Sequence, residues 1–338
     1  MSISLTTSDL SRAVQLRRAN QDIKAQLFAL THEVTTGRRH DLAAAQRGDM
    51  GPLAFISSRL TTLDALSSNA ALIGNELEAV QTALAAVESL VGDKGAAFIA
   101  DAAIGNPATM AIHARQAAGD MEAVVASFNV SAGGRQLLSG AATDTAPLSP
   151  AADILSMTRA IAAGEPTAGQ AIAAIDAWFD APAGGGGFLD MAYHGAPVAD
   201  AGVAVAPGTK VVNPATAADA SVRATLKGLA IAALAADPGI APDPGSRALM
   251  IQAAGERLVG GSRGLTALQA AVGSVQATVE DAATRNEAEA MGLKIMHNKL
   301  ASADPYESAT ALTEAEGRLE KLYALTARLS RLSLADYL

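Results

Sequence analysis

The chain contains no cysteine. That excludes disulfides, thiolate zinc sites and thiol nucleophiles. Aromatic residues are only 3% of its 338 residues although half the chain is apolar. The apolar half is mostly Ala, with Leu, Val and Ile. That suits slim helices packed side by side better than an enzyme core bulked out with Phe, Tyr and Trp. Basic residues are outnumbered, 25 against 34 acidic, for a formal net charge of −9. Phosphate binding needs clustered Lys and Arg, so nucleic acid is not an expected partner. Long apolar runs are missing as well. The richest windows are short and broken by Gly, so no membrane partner is expected. The start, "MSISLTTSDLSRAV", shows no basic n-region, apolar h-region or A-x-A site. The expectation is a soluble protein whose export, if any, needs no cleaved signal.

Catalytic signatures are equally scarce. His32, His40, His113, His194 and His297 never pair at i,i+4, and no H-E-x-x-H occurs. There is no G-x-S-x-G, no Walker lysine and no G-x-G-x-x-G after a strand. The run "AGGGGF" has no following GK[ST] and reads as a flexible surface loop. Acids such as Asp49, Glu76 and Glu78 read as the wet faces of long helices. The expectations are no enzymatic activity, no catalytic residue, no cofactor and no metal.

What the sequence does carry is helical periodicity. Ala13, Leu16, Asn20, Ile23, Leu27, Leu30 and Val34 step by threes and fours, a heptad seam with one polar interruption. Gly37 ends that helix, with Arg38, Arg39 and His40 gathered at its negative end. A second seam runs from Leu53 through Ile56, Leu63, Ala70, Leu77 and Leu84 to Val91, starting near Pro52. A third helix spans about Pro107 to Val130. Residues 133–243 then turn to Gly and Pro punctuation, with short helices near 152–163, 167–180 and 219–236. There, "VAVAPGTKVVNP" patterns as a β-hairpin. After "DPGIAPDPGS" a long seam returns, from Leu265 through Val272, Val279, Asn286, Glu289, Leu293 and Met296 to Leu300. Asp304 can cap the next helix, Pro305 suits its first position and Glu307 can complete a capping box. This last helix carries Leu312, Leu319, Leu322 and Leu329 in its seam, widened by Leu325 and Leu332.

The predicted fold is mainly α, with long antiparallel coiled-coil-like rods formed by both termini and a small α+β insert in the middle. Three parts are drawn. Segments 1–40 and 304–338 form a terminal helical pair, expected to be disordered in the free monomer. Segments 41–144 and 245–303 form a rod domain, and 145–244 the insert. An isolated terminal pair has one buried face, and here the apolar stripe is wider than that face. The surplus is expected to seek partners outside the chain.

Three stretches carry a family resemblance. They are "LFALTHEVTTGRRHDLA" (27–43), "FNVSAGGRQLLSGAATDTAPL" (128–148) and the tail "DPYESATALTEAEGRLEKLYALTARLSRLSLADYL" (304–338). The first looks like a helix closed by a Ser/Thr-Gly-Arg turn, the second like an Asn followed by Gly-Arg and an apolar pair. The third looks like an acidic-aromatic-acidic start with a Ser-Leu-x-x-Tyr-Leu close. With these, roughly 1–145 and 245–338 resemble the flagellin superfamily, and within it the hook–filament junction proteins, the hook-associated protein 3 branch. Two places depart from that pattern. Gln136 follows Arg135 where the family carries an aromatic, and "LAAAQRGDMGPL" only approximates its acidic Asp-Pro segment.

The resemblance implies an extracellular structural adaptor of the bacterial flagellum. It would self-associate in a ring or helical lattice and join the hook-side junction protein to the flagellin filament. It implies type III export without a cleaved signal, and a cytosolic export chaperone on the C-terminal stripe. The interface residues expected are Leu10, Leu16, Ile23, Leu27 and Leu30 at the front. At the back they are Leu312, Leu319, Leu322, Leu325, Leu329, Leu332, Leu334, Tyr337 and Leu338. The alternatives are flagellin itself, or a cytosolic α-helical scaffold or bundle enzyme.

Overall fold

The computed structural model describes residues 3–196 and 201–335; the side chains of 1–10, 13 and 329–338 lie outside that description. The chain is mainly helical. In chain order the helices are α1 (Ile3–Thr36), α2 (Leu42–Ala45), α3 (Gly51–Val91), α4 (Lys94–Ile104), α5 (Pro107–Phe128), α6 (Ala151–Ala163), α7 (Ala168–Asp180), α8 (Phe188–Met191), α9 (Ala220–Leu234), α10 (Pro244–Ala301) and α11 (Pro305–Ala335). Two antiparallel hairpins join them: β1 (Ser131–Ala132) with β2 (Arg135–Gln136), and β3 (Val203–Ala206) with β4 (Thr209–Val211). Compactness divides the chain into two units, 1–63 with 288–338, and 64–287. The boundaries fall inside α3 and α10, whereas sequence texture drew three parts.

Local chemistry sets the helix ends. Gly37 stops α1 in the left-handed region, at φ +67°. Asn106 caps α5 through the Ala108 amide, and Pro107 takes the first position, where no amide is needed. Asp243 accepts from the amides of Gly245 and Ser246 at the start of α10. Asp304 accepts from Tyr306 and Glu307 at the start of α11. The expected capping box does not close, because the Glu307 carboxylate turns to Arg39 instead, at 3.1 Å.

Unit 64–287 holds the main core. The second half of the α3 seam is buried as its spacing predicts, with Leu77, Val80, Leu84 and Val91 wholly covered. α9 is buried on nearly every side and packs on α5, α6 and α7. Bare backbone lets helices approach closely. A Cβ on Gly255 of α10 would sit 2.6 Å from the Gly95 carbonyl oxygen of α4, and one on Gly228 of α9 would sit 2.8 Å from Leu258 of α10. Three aromatics, Trp178, Phe179 and Phe188, form one edge-and-stack cluster.

Side-chain amides tie the hairpins to this core. Asn129 pairs with Leu148 like a strand neighbour, donating to its carbonyl (3.1 Å) and accepting from its amide (2.9 Å). Asn69 and the buried Asn286 donate to the carbonyls of Ala204 and Val205 on β3. The polar break in the α10 seam is therefore an anchor for a strand.

Several expectations need correction. α4 and the β1–β2 hairpin have no counterpart in the sequence reading. Glu76 is 9% exposed and faces Arg135 at 3.4 Å, so it does not mark a wet face. The tetraglycine run is a folded turn. Gly184 and Gly186 donate their amides to the two Asp190 carboxylate oxygens at 2.8 and 2.7 Å. The α10 seam fades after Asn286. Met296 is 56% exposed and Leu293 and Leu300 are half-buried, because the Glu289 position faces Arg59 as an ion pair, not an apolar seam.

Candidate assembly surface

Unit 1–63 with 288–338 is built differently. α1 and α11 run antiparallel, their closed end fixed by polar links. Glu33 on α1 accepts from the His40 amide and from the buried Ser308 hydroxyl on α11, each at 3.0 Å. Arg39 donates to Glu307. The turn after α1 is strapped to the α10–α11 junction by main-chain bonds, Arg39 amide to Ala301 carbonyl and Ala303 amide to Gly37 carbonyl, both 2.9 Å. Gln46 adds a bond to the Leu300 carbonyl. Thus the Gly37-Arg38-Arg39 turn and the Asp304-Pro305 junction, far apart in sequence, form one knot.

Away from that knot the pair is half wet. Among its described side chains, α1 has none that is fully buried, and α11 has only Ser308 and Ala315. Of the expected interface residues, Leu16, Ile23, Leu27 and Leu30 on α1, and Leu312, Leu319 and Leu322 on α11, are half-buried. Leu325 is exposed, at 53%. Leu10, Leu329, Leu332 and Leu334 lie on described helix, but their side chains fall outside the described residues, as Tyr337 and Leu338 do entirely. Val34, placed in the α1 seam by its spacing, is exposed. Sequence reasoning also missed large apolar side chains in open water: Phe28 at 69%, Phe55, Met291, Ile295, Tyr306 at 83% and Tyr323. They fall off the 3-4 seam of their helices, so the seam's spacing did not point to them.

Across α3 and α10 in the same unit, Arg59 grips Glu289 in a fork, at 2.6 and 2.8 Å. The hydrogen bonds that Arg59 donates hold the Glu289 carboxyl below its ordinary range, and the same bonds hold the guanidinium above its own.

Other polar pairs join neighbouring elements. In unit 64–287, Lys227 is buried between Asp180 (2.6 Å) and Asp176 (3.5 Å), and Arg257 forks onto Asp176. The Ser149 hydroxyl lies 2.8 Å from Nε2 of the exposed His194, and Ser149 itself is buried beside the Leu148–Tyr193 bridge. His113 bonds Asp101 and packs at a tilt against Phe98. His32 and His40 lie edge to face beside Phe28, and His297 is half-buried. A cavity of about 40 Å³ beside Glu76, Arg135 and Gln136 has room for a water or two. Among the described residues no group of three or more His, Asp and Glu could hold a metal. None of the described helices is long and apolar enough to cross a membrane.

No family model matches this chain, and no curated protein matches it either.

Proposed function

We propose that the protein is a structural subunit of the bacterial flagellum, an adaptor of the hook–filament junction kind. It polymerises through α1 and α11 and joins a hook-side junction protein to flagellin. It is exported without a cleaved signal, under the care of a cytosolic chaperone, and has no catalytic activity. In this reading the long helices act as coiled-coil-like rods carrying the central insert. One observation carries the reading: the terminal helix pair leaves its leucines half-buried and Phe28, Tyr306, Tyr323 and Leu325 in water, while unit 64–287 covers its own seams. We read these exposed apolar side chains as an interaction site. Each half-buried leucine carried to full burial contributes about 1–2 kcal/mol. Several repeated at every subunit contact offset the ordering cost of association. A contact between unlike faces extends a lattice instead of closing a dimer.

The test is genetic. Deleting residues 305–338 in the bacterium that encodes the chain is expected to remove filaments and leave hooks in place. Full-length filaments in that strain, or a purely cytosolic pool of the intact protein, would refute the reading.

A further inference from the structure

α1 carries a second stripe on the face turned away from its leucine seam. Val14, Arg17, Gln21, Lys24 and Phe28 step by 3, 4, 3 and 4, and all five are exposed. The spacing puts them on one side of the helix over about four turns. No acidic residue falls on this stripe, and neither Arg17 nor Lys24 has an ion-pair partner among the described residues. It presents an apolar anchor at each end and two cations between them, which is how an amphipathic helix offers itself to a groove.

Unit 64–287 has a groove of matching character. It runs between α3 and the end of α5, about 470 Å³, floored by Ala79, Ala83 and Ala126. Glu78 lines it, and Glu122, exposed on α5, stands one turn before the lining residue Ala126, on the same side of that helix. No basic residue lines it. The α3 wall extends from Asn75 to Ala86, roughly three turns. The unit as a whole holds 22 acidic side chains against 11 basic ones, whereas the other unit holds 12 against 14.

We propose that the α1 stripe of one copy docks in the α3/α5 groove of a second copy. Phe28 lies on the alanine floor, which is shallow enough for a helix to approach closely, Arg17 and Lys24 meet Glu78 and Glu122, and Val14, about 21 Å from Phe28 along α1, lies beyond the end of the groove. Charge of opposite sign and the absence of the wrong sign on either face select another copy of this chain as the occupant. The contact joins unlike surfaces, so it propagates head to tail. The proposal rests on the reading that the chain self-associates, and it adds a polar, oriented contact to the apolar one.

The experiment uses the full chain and two double variants, Arg17→Glu with Lys24→Glu, and Glu78→Lys with Glu122→Lys. Self-association is followed by sedimentation velocity, and helix content by circular dichroism. All four positions are exposed, so folding is expected to be unchanged. The parent is expected to associate at low salt and to weaken at least tenfold well above about 0.1 M salt, where exposed charges are screened. Each variant alone loses association at least tenfold. An equimolar mixture of the two regains it, because reversed charges then face each other. Three results overturn the proposal: variants that associate like the parent, whose charges are then merely solvated; a mixture that fails to recover; or a parent that stays monomeric at low salt. If Leu325→Asp abolishes polymers while both charge variants still form them, the adaptor reading stands and this contact falls.

Discussion

Asp190 shows how one side chain organises a loop that composition alone reads as slack. Its carboxylate collects amides from Gly184 and Gly186, and these bonds hold its pKa below the ordinary carboxylate value. A depressed pKa means the ionised form is favoured by the folded loop. The stabilisation is therefore complete at neutral pH and fades only as pH falls through the lowered value. Hydrogen exchange at the 184–187 amides is expected to show protection at pH 7 that Asp190→Asn loses. A variant loop as protected as the parent would contradict this. Lys227 makes a second residue-scale case. Removing Asp176 takes the forked partner from half-buried Arg257 and leaves Lys227 on Asp180 alone, so Asp176→Ala is expected to cost about 2 kcal/mol in urea unfolding. Lys227→Met keeps the volume and frees exposed Asp180 to water, and should cost less than about 1 kcal/mol. None of this was legible in the sequence. Spacing reports which face is buried, not which carboxylate 47 positions from a lysine will meet it.

At the scale of elements, the seams of the long helices were legible and their partners were not. Leu77, Val80 and Leu84 are buried where the 3-4 spacing puts them. α4 escaped notice because its buried face is little more than Gly95 and Phe98, too few apolar positions to make a period. Its packing depends on two glycines 160 residues apart, whose bare backbones touch. Gly255→Ala is expected to cost about 2 kcal/mol, because the added methyl meets carbonyl and side-chain atoms of α4 and the overpacking exceeds the helix-propensity gain. Gly119→Ala on α5, with nothing within 4 Å of the new methyl, is expected to gain about 0.5–1 kcal/mol. Opposite signs for two identical substitutions, read by denaturant midpoints, test the close-approach account. Asn286 looked like a polar lapse in an apolar seam and turns out to hold β3. Only a strand brought from 81 positions away makes sense of it.

At the scale of the molecule, the two units solve the burial problem in different ways. Unit 64–287 covers its seams with its own helices and two hairpins. The terminal pair has two helices and a polar knot at one end, so each helix retains an uncovered face. The sequence signalled this through the breadth of its leucine stripe. The knot itself was unreadable, because the Gly37-Arg38-Arg39 turn and the Asp304-Pro305 junction carry no pattern that names the other. The most direct measurement is polymerisation of the purified full chain, parent against Leu325→Asp, followed by light scattering and electron microscopy. The account predicts ordered polymers from the parent, and from the variant a monomer of unchanged helix content and unchanged unfolding midpoint for unit 64–287. Polymers of equal length and yield from Leu325→Asp would contradict it.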